Sequence, residues 1–217
     1  MFIHKHPYPP YFPNGATKMI VGTLPPPRFS TGELKPGDVN FCYGSIDGQL
    51  WPILNQLFEL NLVFETTQKA IDQRKEFLQD RGVAICDIVH SAKRQKIDAS
   101  DLGMEQVQLR PLLKHLKENT QIDTLLFTGG NSKNGPEYFF RRLLKEHHMS
   151  LEVVEDQVPR IHSFELEGRP IKTVSLTAPS GAANRAVGSL PLYKERKAAD
   201  PSYNTLLFRV DQYRPFF

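Results

Sequence analysis

Apolar residues along the chain fall into two spacings that alternate with each other. Short unbroken runs stand at Lys18–Leu24, Val83–Val89, Ile122–Thr128 and Ile171–Thr177, each bounded by Gly, Pro or polar residues. Runs of that length with β-branched content predict buried strands. Between them the apolar positions recur at helical intervals. Trp51, Leu54, Leu57 and Phe58 predict a helix over 49–60. Ala70, Ile71, Phe77 and Leu78 predict a second over 66–81, with Gly82 placed to end it. Leu112, Leu113 and Leu116 predict a third over 110–119. Pro136, suited to a first helical turn, opens a fourth that runs to about His148. Residues 151–156 and 161–167 read as further strands, with Gly168 turning the chain into the last strong one. The stretch 93–108 is polar and reads as a loop, and the tail from Ser202 carries no clear period.

Strands alternating with helices at this spacing build βαβ units, hence a parallel sheet covered on both faces. The reading is one α/β domain over residues 1–217. Residues 1–17, with Pro7, Pro9, Pro10 and Pro13, form an extended N-terminal arm. Composition refines this little: of 217 residues, 40% are hydrophobic and 24% charged, an ordinary globular balance that excludes a disordered chain or a coiled coil. No apolar run approaches the roughly 20 residues of a membrane span, and the N-terminus lacks a basic and an apolar region of the signal-peptide kind. Cys42 and Cys86 cannot make a disulfide framework, which points to a reducing compartment and a cytoplasmic location, nucleoid-associated in a bacterium. Two cysteines and scattered histidines offer no metal-ligand spacing, so neither a metal nor another cofactor is expected. The formal charge of +3 is compatible with a polyanionic partner.

Ligands of open parallel sheets bind beyond the carboxyl ends of the strands. Four segments follow the four best strands: Gly22–Pro27 running on to Phe41–Trp51, then Asp87–Ser91, Thr128–Lys133 and Thr177–Arg185. All are rich in Gly, Ser, Thr, Asn or Asp, which bring backbone N–H groups and short polar side chains close to a ligand. The sequence contains no G-x-x-x-x-G-K-[ST], no G-x-G-x-x-G and no G-x-S-x-G, which disfavours a nucleoside-triphosphate site, a dinucleotide cofactor and a serine-hydrolase elbow.

Val21-Gly-Thr-Leu-Pro25, followed by Phe41-Cys-Tyr-Gly44 and Leu50-Trp51, resembles the opening motif of the uracil-DNA glycosylase superfamily. The nearest branches are the hypoxanthine-DNA glycosylase-like and mismatch-specific ones. Gly82–Val89 with Ser91 and Asp98 is similar to the second strand of that branch, and Phe127-Thr-Gly-Gly130 before Phe140-Arg-Arg142 to its third. Ala178-Pro-Ser-Gly-Ala-Ala-Asn184 is similar to the DNA-intercalation loop after its last strand, and His6–Pro13 to an arm of related chains. The resemblance spans roughly 6–190. It implies a three-layer α/β/α fold around a central, mostly parallel sheet. It also implies a monofunctional DNA glycosylase that removes a deaminated base, uracil or hypoxanthine, in base-excision repair. DNA containing a damaged base would be the partner, with no membrane and no obligate protein partner.

Cleaving an N-glycosidic bond builds positive charge on the sugar and negative charge on the departing base. Gly22, Thr23 and Leu24 can offer backbone donors to the base, and Phe41 or Tyr43 an aromatic platform, unless these rings pack in the core. Ser45, Asp87 and Thr128 complete the base-binding candidates. Ser180, Gly181, Asn184 and Arg185 are the candidates for contact with DNA, and Lys93–Lys96, Arg141-Arg142 and Lys194–Lys197 for further phosphate contacts. The sequence departs from the family at one place: where a catalytic Asn commonly stands three residues before the Trp, it has Gly48. Asp47 beside it is the catalytic candidate, a carboxylate able to hold water and stabilise a cationic sugar, or else a helix cap. Two rival readings stay open: a weakly catalytic or non-catalytic base-binding protein of the same fold, and a nucleoside or nucleotide hydrolase.

Overall fold

The computed structural model of the protein describes residues 1–98 and 100–217. The strands are β1 (Phe2–Lys5), β2 (Lys18–Val21), β3 (Val83–Ile85), β4 (Val89–Arg94), β5 (Met104–Leu109), β6 (Thr124–Phe127), β7 (Glu152–Glu155), β8 (Arg160–Leu166) and β9 (Arg169–Ser175). The helices are α1 (Arg28–Thr31), α2 (Leu50–Phe58), α3 (Gln68–Asp80), α4 (Leu112–Glu118), α5 (Pro136–Glu146), α6 (Asn184–Ser189), α7 (Pro191–Ala199) and α8 (Thr205–Tyr213).

A six-stranded sheet runs in the order β3-β2-β6-β9-β8-β7. The pairs β2–β3, β2–β6 and β6–β9 are parallel, while β8 and β7 add antiparallel strands at one edge. The four strongest apolar runs are therefore neighbours, and their carboxyl ends point the same way. Side chains alternate across this sheet with the period of two that strands impose. Met19 and Val21 of β2 join Leu125, Phe127 and the leucines and phenylalanines of α4 and α5 in one core. Ile20, between them, faces Leu126, Val174 and the apolar faces of α2, α3 and α8 in another. Helices on both faces of a mostly parallel sheet make a three-layer α/β/α architecture.

Two expectations fail for a common reason. The run 83–89 is not one strand: β3 ends at Ile85, and β4 leaves to build a second, antiparallel sheet in the order β1-β4-β5. Polar 93–108 is not a loop throughout, since it holds the end of β4 and all of β5 but its last residue. An antiparallel sheet can leave one face in water, so polar residues such as Glu105 and Gln108 occupy its exposed positions. Within the arm 1–17, Phe2–Lys5 pairs with Ser91–Arg94 as β1. The tail without a clear period contains α8, whose buried Phe208, Val210 and Tyr213 face inward. Among the described residues no helix is long and apolar enough to cross a membrane.

Candidate functional site

The loops after β2, β3, β6 and β9 enclose a cleft of about 400 Å³. Its lining takes Thr23–Pro26 from the first loop, Cys42–Ser45 and Asp47–Leu50 from the segment leading to α2, Asp87 after β3, Thr128 after β6, and Ala178–Ala182 after β9. Thr23 and Ser180 thus face one space. The segment before α2 is tied to the loop after β9 by a backbone bridge between Gly48 and Ser180 and by Gln49 N–H donating to the Pro179 carbonyl at 2.9 Å.

The floor is organised by Asp87. Its Oδ1 accepts from the Gly22 amide and the Tyr43 hydroxyl, each at 2.8 Å, and its Oδ2 lies 2.8 Å from His6 Nε2. The Tyr8 amide donates to His6 Nδ1 at 3.2 Å, so Nδ1 carries the lone pair and Nε2 the proton given to Asp87. Burial, and next the Asp87 charge, push the Tyr43 phenol well above its ordinary value, so it stays a donor. With that proton committed to Asp87, the Thr128 hydroxyl is the donor in its 3.2 Å pair with Tyr43. Gly22 is required by this packing: a Cβ there would lie 2.2 Å from Tyr43 Oη, 2.8 Å from Asp87 Oδ1 and 2.9 Å from Thr128 Oγ1.

The mouth is built differently. Asp38, fully buried, accepts from Arg28 Nε at 2.7 Å and from the amides of Lys35 and Ile46 at 2.8 Å. Burial works to raise its pKa, but the Arg28 guanidinium and the two amides prevail and hold it at about 2. This hub folds residues 35–46 back over the sheet and presents Asp47 at the opening. The Asp47 carboxylate is 64% exposed and stands 3.3 Å from both Arg28 Nη2 and Lys35 Nζ. Ser45 Oγ accepts from Arg28 Nη2 at 2.8 Å and from the Asp47 amide at 3.2 Å. Asp47 does not cap α2, whose N-cap position is Gln49. Gly48 lies outside the left-handed region, and a Cβ there would stand 3.1 Å from the Ser45 carbonyl oxygen.

The remaining candidates divide. Thr23, Leu24, Tyr43, Ser45, Asp47, Asp87, Thr128, Ser180 and Gly181 line the cleft. The amides of Thr23 and Leu24 have no protein acceptor among the described residues, whereas that of Gly22 is spent on Asp87. Phe41 is not brought to the cleft: it packs against Tyr8, Tyr11 and Trp51 in the core, because its segment turns under the sheet. Asn184 Oδ1 accepts from Arg209 Nη1 at 2.9 Å and from Thr205 Oγ1 at 3.1 Å, and Arg185 is exposed beside it. Of the basic clusters, Arg94 is buried and donates to His4, Arg141 is held by Glu137, and Arg196 pairs with Asp211. Lys96, Arg185, Lys194 and Lys197 remain exposed.

Several contributors escaped the sequence reading. His6 reaches the floor from the arm, and its prolines and aromatic neighbours were the only local signal. Asp101, on a short 3-10 turn at Asp101–Gly103, lines the cleft and accepts from the Thr23 hydroxyl at 2.8 Å. Burial pushes its carboxyl up to about 6. Arg209 of α8 is fully buried and donates to the carbonyls of Ala178 and Ser180 at 2.8 and 3.1 Å, which fixes the loop after β9. No sequence signal marked it. Among the described residues no group of three or more His, Cys, Asp or Glu is placed to hold a metal ion.

No protein-family model matches the chain, and no curated protein matches it in sequence. Among solved structures, it is similar to a solution NMR structure of a "putative Uracil DNA glycosylase" from Methanosarcina acetivorans. The TM-score is 0.55 at 14% identity, over 91% of this chain and 96% of that one. At that identity the likeness is one of fold. The protein has the uracil-DNA glycosylase-like fold.

Proposed function

We propose that the protein is a monofunctional DNA glycosylase that hydrolyses the N-glycosidic bond of a deaminated base, uracil or hypoxanthine, in DNA. The observation that carries this reading is the cleft itself. It is a space of about 400 Å³ at the carboxyl ends of the parallel strands, with an anchored floor, unengaged amides at Thr23 and Leu24, and a carboxylate at its open mouth. A flipped base would lie against the ring of Tyr43, with the two amides directed at its carbonyl oxygens. As the C1′–N bond breaks, its electron pair moves onto the base, and fixed N–H donors stabilise that charge without reorganising. A water oxygen bonds to C1′, and its proton passes to Asp47, whose charge also favours the cationic sugar. Asp87 cannot take this part, since its oxygens already serve His6, Tyr43 and Gly22. Ser180, Gly181, Asn184 and Arg185 would meet the DNA around the flipped nucleotide.

A second reading is favoured by the surroundings of Asp47. Arg28 and Lys35 both neutralise Asp47, and the family's amide is replaced by Gly48, as in a base-binding protein without turnover. Labelled oligonucleotides carrying uracil, hypoxanthine, xanthine or a G:T mismatch, treated with alkali to break abasic sites, decide between the two. Strand cleavage on a deaminated base supports the glycosylase. Retention of damaged DNA with no abasic sites supports the binding protein.

A further inference from the structure

Asp101 reaches the cleft from outside the main sheet. It opens the short turn Asp101–Gly103 in the connection between β4 and β5, and that turn is tied down from two sides. Asn134 Nδ2 donates to the carbonyls of Asp101 and Met104 at 2.9 and 3.1 Å, and Arg94 Nη1 donates to the Ser100 carbonyl. The Asp101 side chain is half-buried and lines the cleft. Its Oδ1 accepts from the Thr23 hydroxyl at 2.8 Å, while Oδ2 has no partner among the described residues. The charged groups facing it are Arg94 of β4 and Asp87 after β3. Burial, which raises the Asp101 pKa, outweighs the Thr23 hydroxyl and the Arg94 charge, which lower it, and Asp87 adds to the rise. The carboxyl, pushed up to about 6, keeps a protonated share near neutral pH. Because Thr23 donates to Oδ1, that proton sits on Oδ2.

We propose that Asp101 is the acid of the site: its Oδ2 proton is given to ring nitrogen N7 of a purine base, which makes hypoxanthine, rather than uracil, the base this cleft releases best. This rests on the reading of the cleft as a glycosylase site and names its substrate. In hypoxanthine O6 and N7 lie side by side on one edge of the ring system. In that reading the Thr23 amide faces the carbonyl oxygen, and the Thr23 hydroxyl holds Asp101 beside it. One residue thus sets two donors along one edge of the base. Uracil has no counterpart to N7: N1 carries the sugar, N3 carries a hydrogen, and the ring atom on the other side of C4 is a C–H. As the C1′–N9 bond of the purine nucleotide breaks, its electron pair moves into the ring and N7 takes the Oδ2 proton, so the base departs neutral. Asp101 is left as a carboxylate and regains a proton from solvent. The water that bonds to C1′ gives its proton to Asp47, which passes it to solvent, and atoms and charge balance.

Two measurements on the full chain separate this inference from the glycosylase reading. Oligonucleotides carrying hypoxanthine, 7-deazahypoxanthine (a C–H in place of N7) or uracil are cleaved under single-turnover conditions from about pH 5 to about pH 8. Free hypoxanthine and its 7-deaza form are titrated over the same range by ligand-observed NMR, which needs no bond cleavage. Release of hypoxanthine by the parent is expected to fall as pH rises through about 6, where the carboxyl proton is lost. Asp101→Asn can keep the Thr23 bond and present an N–H where Oδ2 stood, yet an amide gives up no proton. Its cleavage of hypoxanthine is expected to drop by about 10²-fold or more, with 7-deazahypoxanthine and uracil cleaved as by the parent. In binding, the parent is expected to favour hypoxanthine over its 7-deaza form by about tenfold below pH 6, the worth of one hydrogen bond, and to lose that preference above it. Asp101→Asn is expected to hold the preference throughout. The inference is overturned if Asp101→Asn cleaves hypoxanthine at the parental rate, if it slows all three substrates alike, or if the parent binds both free bases equally at low pH. A chain that cleaves uracil and leaves hypoxanthine intact loses this assignment and keeps the glycosylase reading. A chain with the pH-dependent preference for N7 that forms no abasic sites keeps Asp101 as the donor to N7 and loses the glycosylase reading.

Discussion

Two aspartates face the same cleft in opposite circumstances. Asp87 lies at the floor, buried, with donors from the arm, from the loop after β2 and from the segment before α2. Asp47 lies at the mouth, 64% exposed, with the Arg28 guanidinium and the Lys35 ammonium at 3.3 Å. The floor contacts come from a backbone amide, a hydroxyl and a neutral imidazole, which satisfy a carboxylate geometrically and leave it little freedom. The mouth contacts are ion pairs in high dielectric, each contributing at most about 1 kcal/mol, and they exchange readily for water or substrate. One carboxylate holds the site together, and the other stands open to solvent at its mouth.

That contrast can be broken most forcefully at the floor. Asp87→Ala strands the His6, Tyr43 and Gly22 donors in a buried space and is expected to destabilise the fold by about 3–5 kcal/mol. Denaturant unfolding measures this, and a loss below about 1 kcal/mol would show that Asp87 is no hub. At the mouth the order of effects reverses. Asp47→Ala should lower single-turnover cleavage of the best deaminated substrate by about 10²–10³ while changing stability by less than about 1 kcal/mol. Cleavage at the parental rate removes Asp47 from the chemistry.

The pH dependence of stability sharpens the same comparison through two other aspartates. Asp38, held at about 2, has a folded pKa below its unfolded value of 3.8. Its contribution is present above about pH 4 and is lost as pH falls toward 2. Asp101, pushed up to about 6, has a folded pKa above the unfolded 3.8. Its contribution is full below about pH 4 and is lost as pH rises through 6. Asp101→Asn should therefore gain about 1–2 kcal/mol relative to the parent between pH 4 and pH 7, allowing for its partial exposure. Melting temperatures of the two proteins across that range test this, and parallel curves would refute it. The smallest effect is expected outside the cleft. Arg185→Ala should weaken duplex binding for all sequences alike and reduce the slope of log affinity against log salt by about 1. An unchanged slope would take Arg185 off the phosphate backbone.

The strands of the sheet were legible because their signals are local and doubly reinforced. Met19–Val21 of β2 and Leu125–Phe127 of β6 are apolar on both sides, as strands buried between two helical layers must be, and a Gly follows each closely. Polar β5 gave no such signal because water covers one of its faces. Within the site, Thr23, Tyr43, Asp87, Thr128 and Ser180 could be found because strand ends converge on a shared cleft by topology alone. Phe41 and Tyr43, two residues apart, could not be told apart in sequence. Tyr43 adopts a left-handed backbone conformation at φ 57° that turns its ring toward the cleft, while Phe41 remains beneath with Trp51.

Hydrophobic period and chain punctuation were enough for the alternation of elements, the direction of the parallel strands and the set of loops that converge on the cleft. Tertiary structure alone decided what each polar group is free to do. His6 and Asp87 meet across 81 positions, and Arg209 fixes a loop about 30 residues before it. Arg94 and Arg141 are spent inside the fold, and the oxygen of Gln49 is left without a donor. The physical reason is that a hydrogen bond or ion pair depends on distance in space and on exclusion of water, and neither is written in the spacing of residues along a chain.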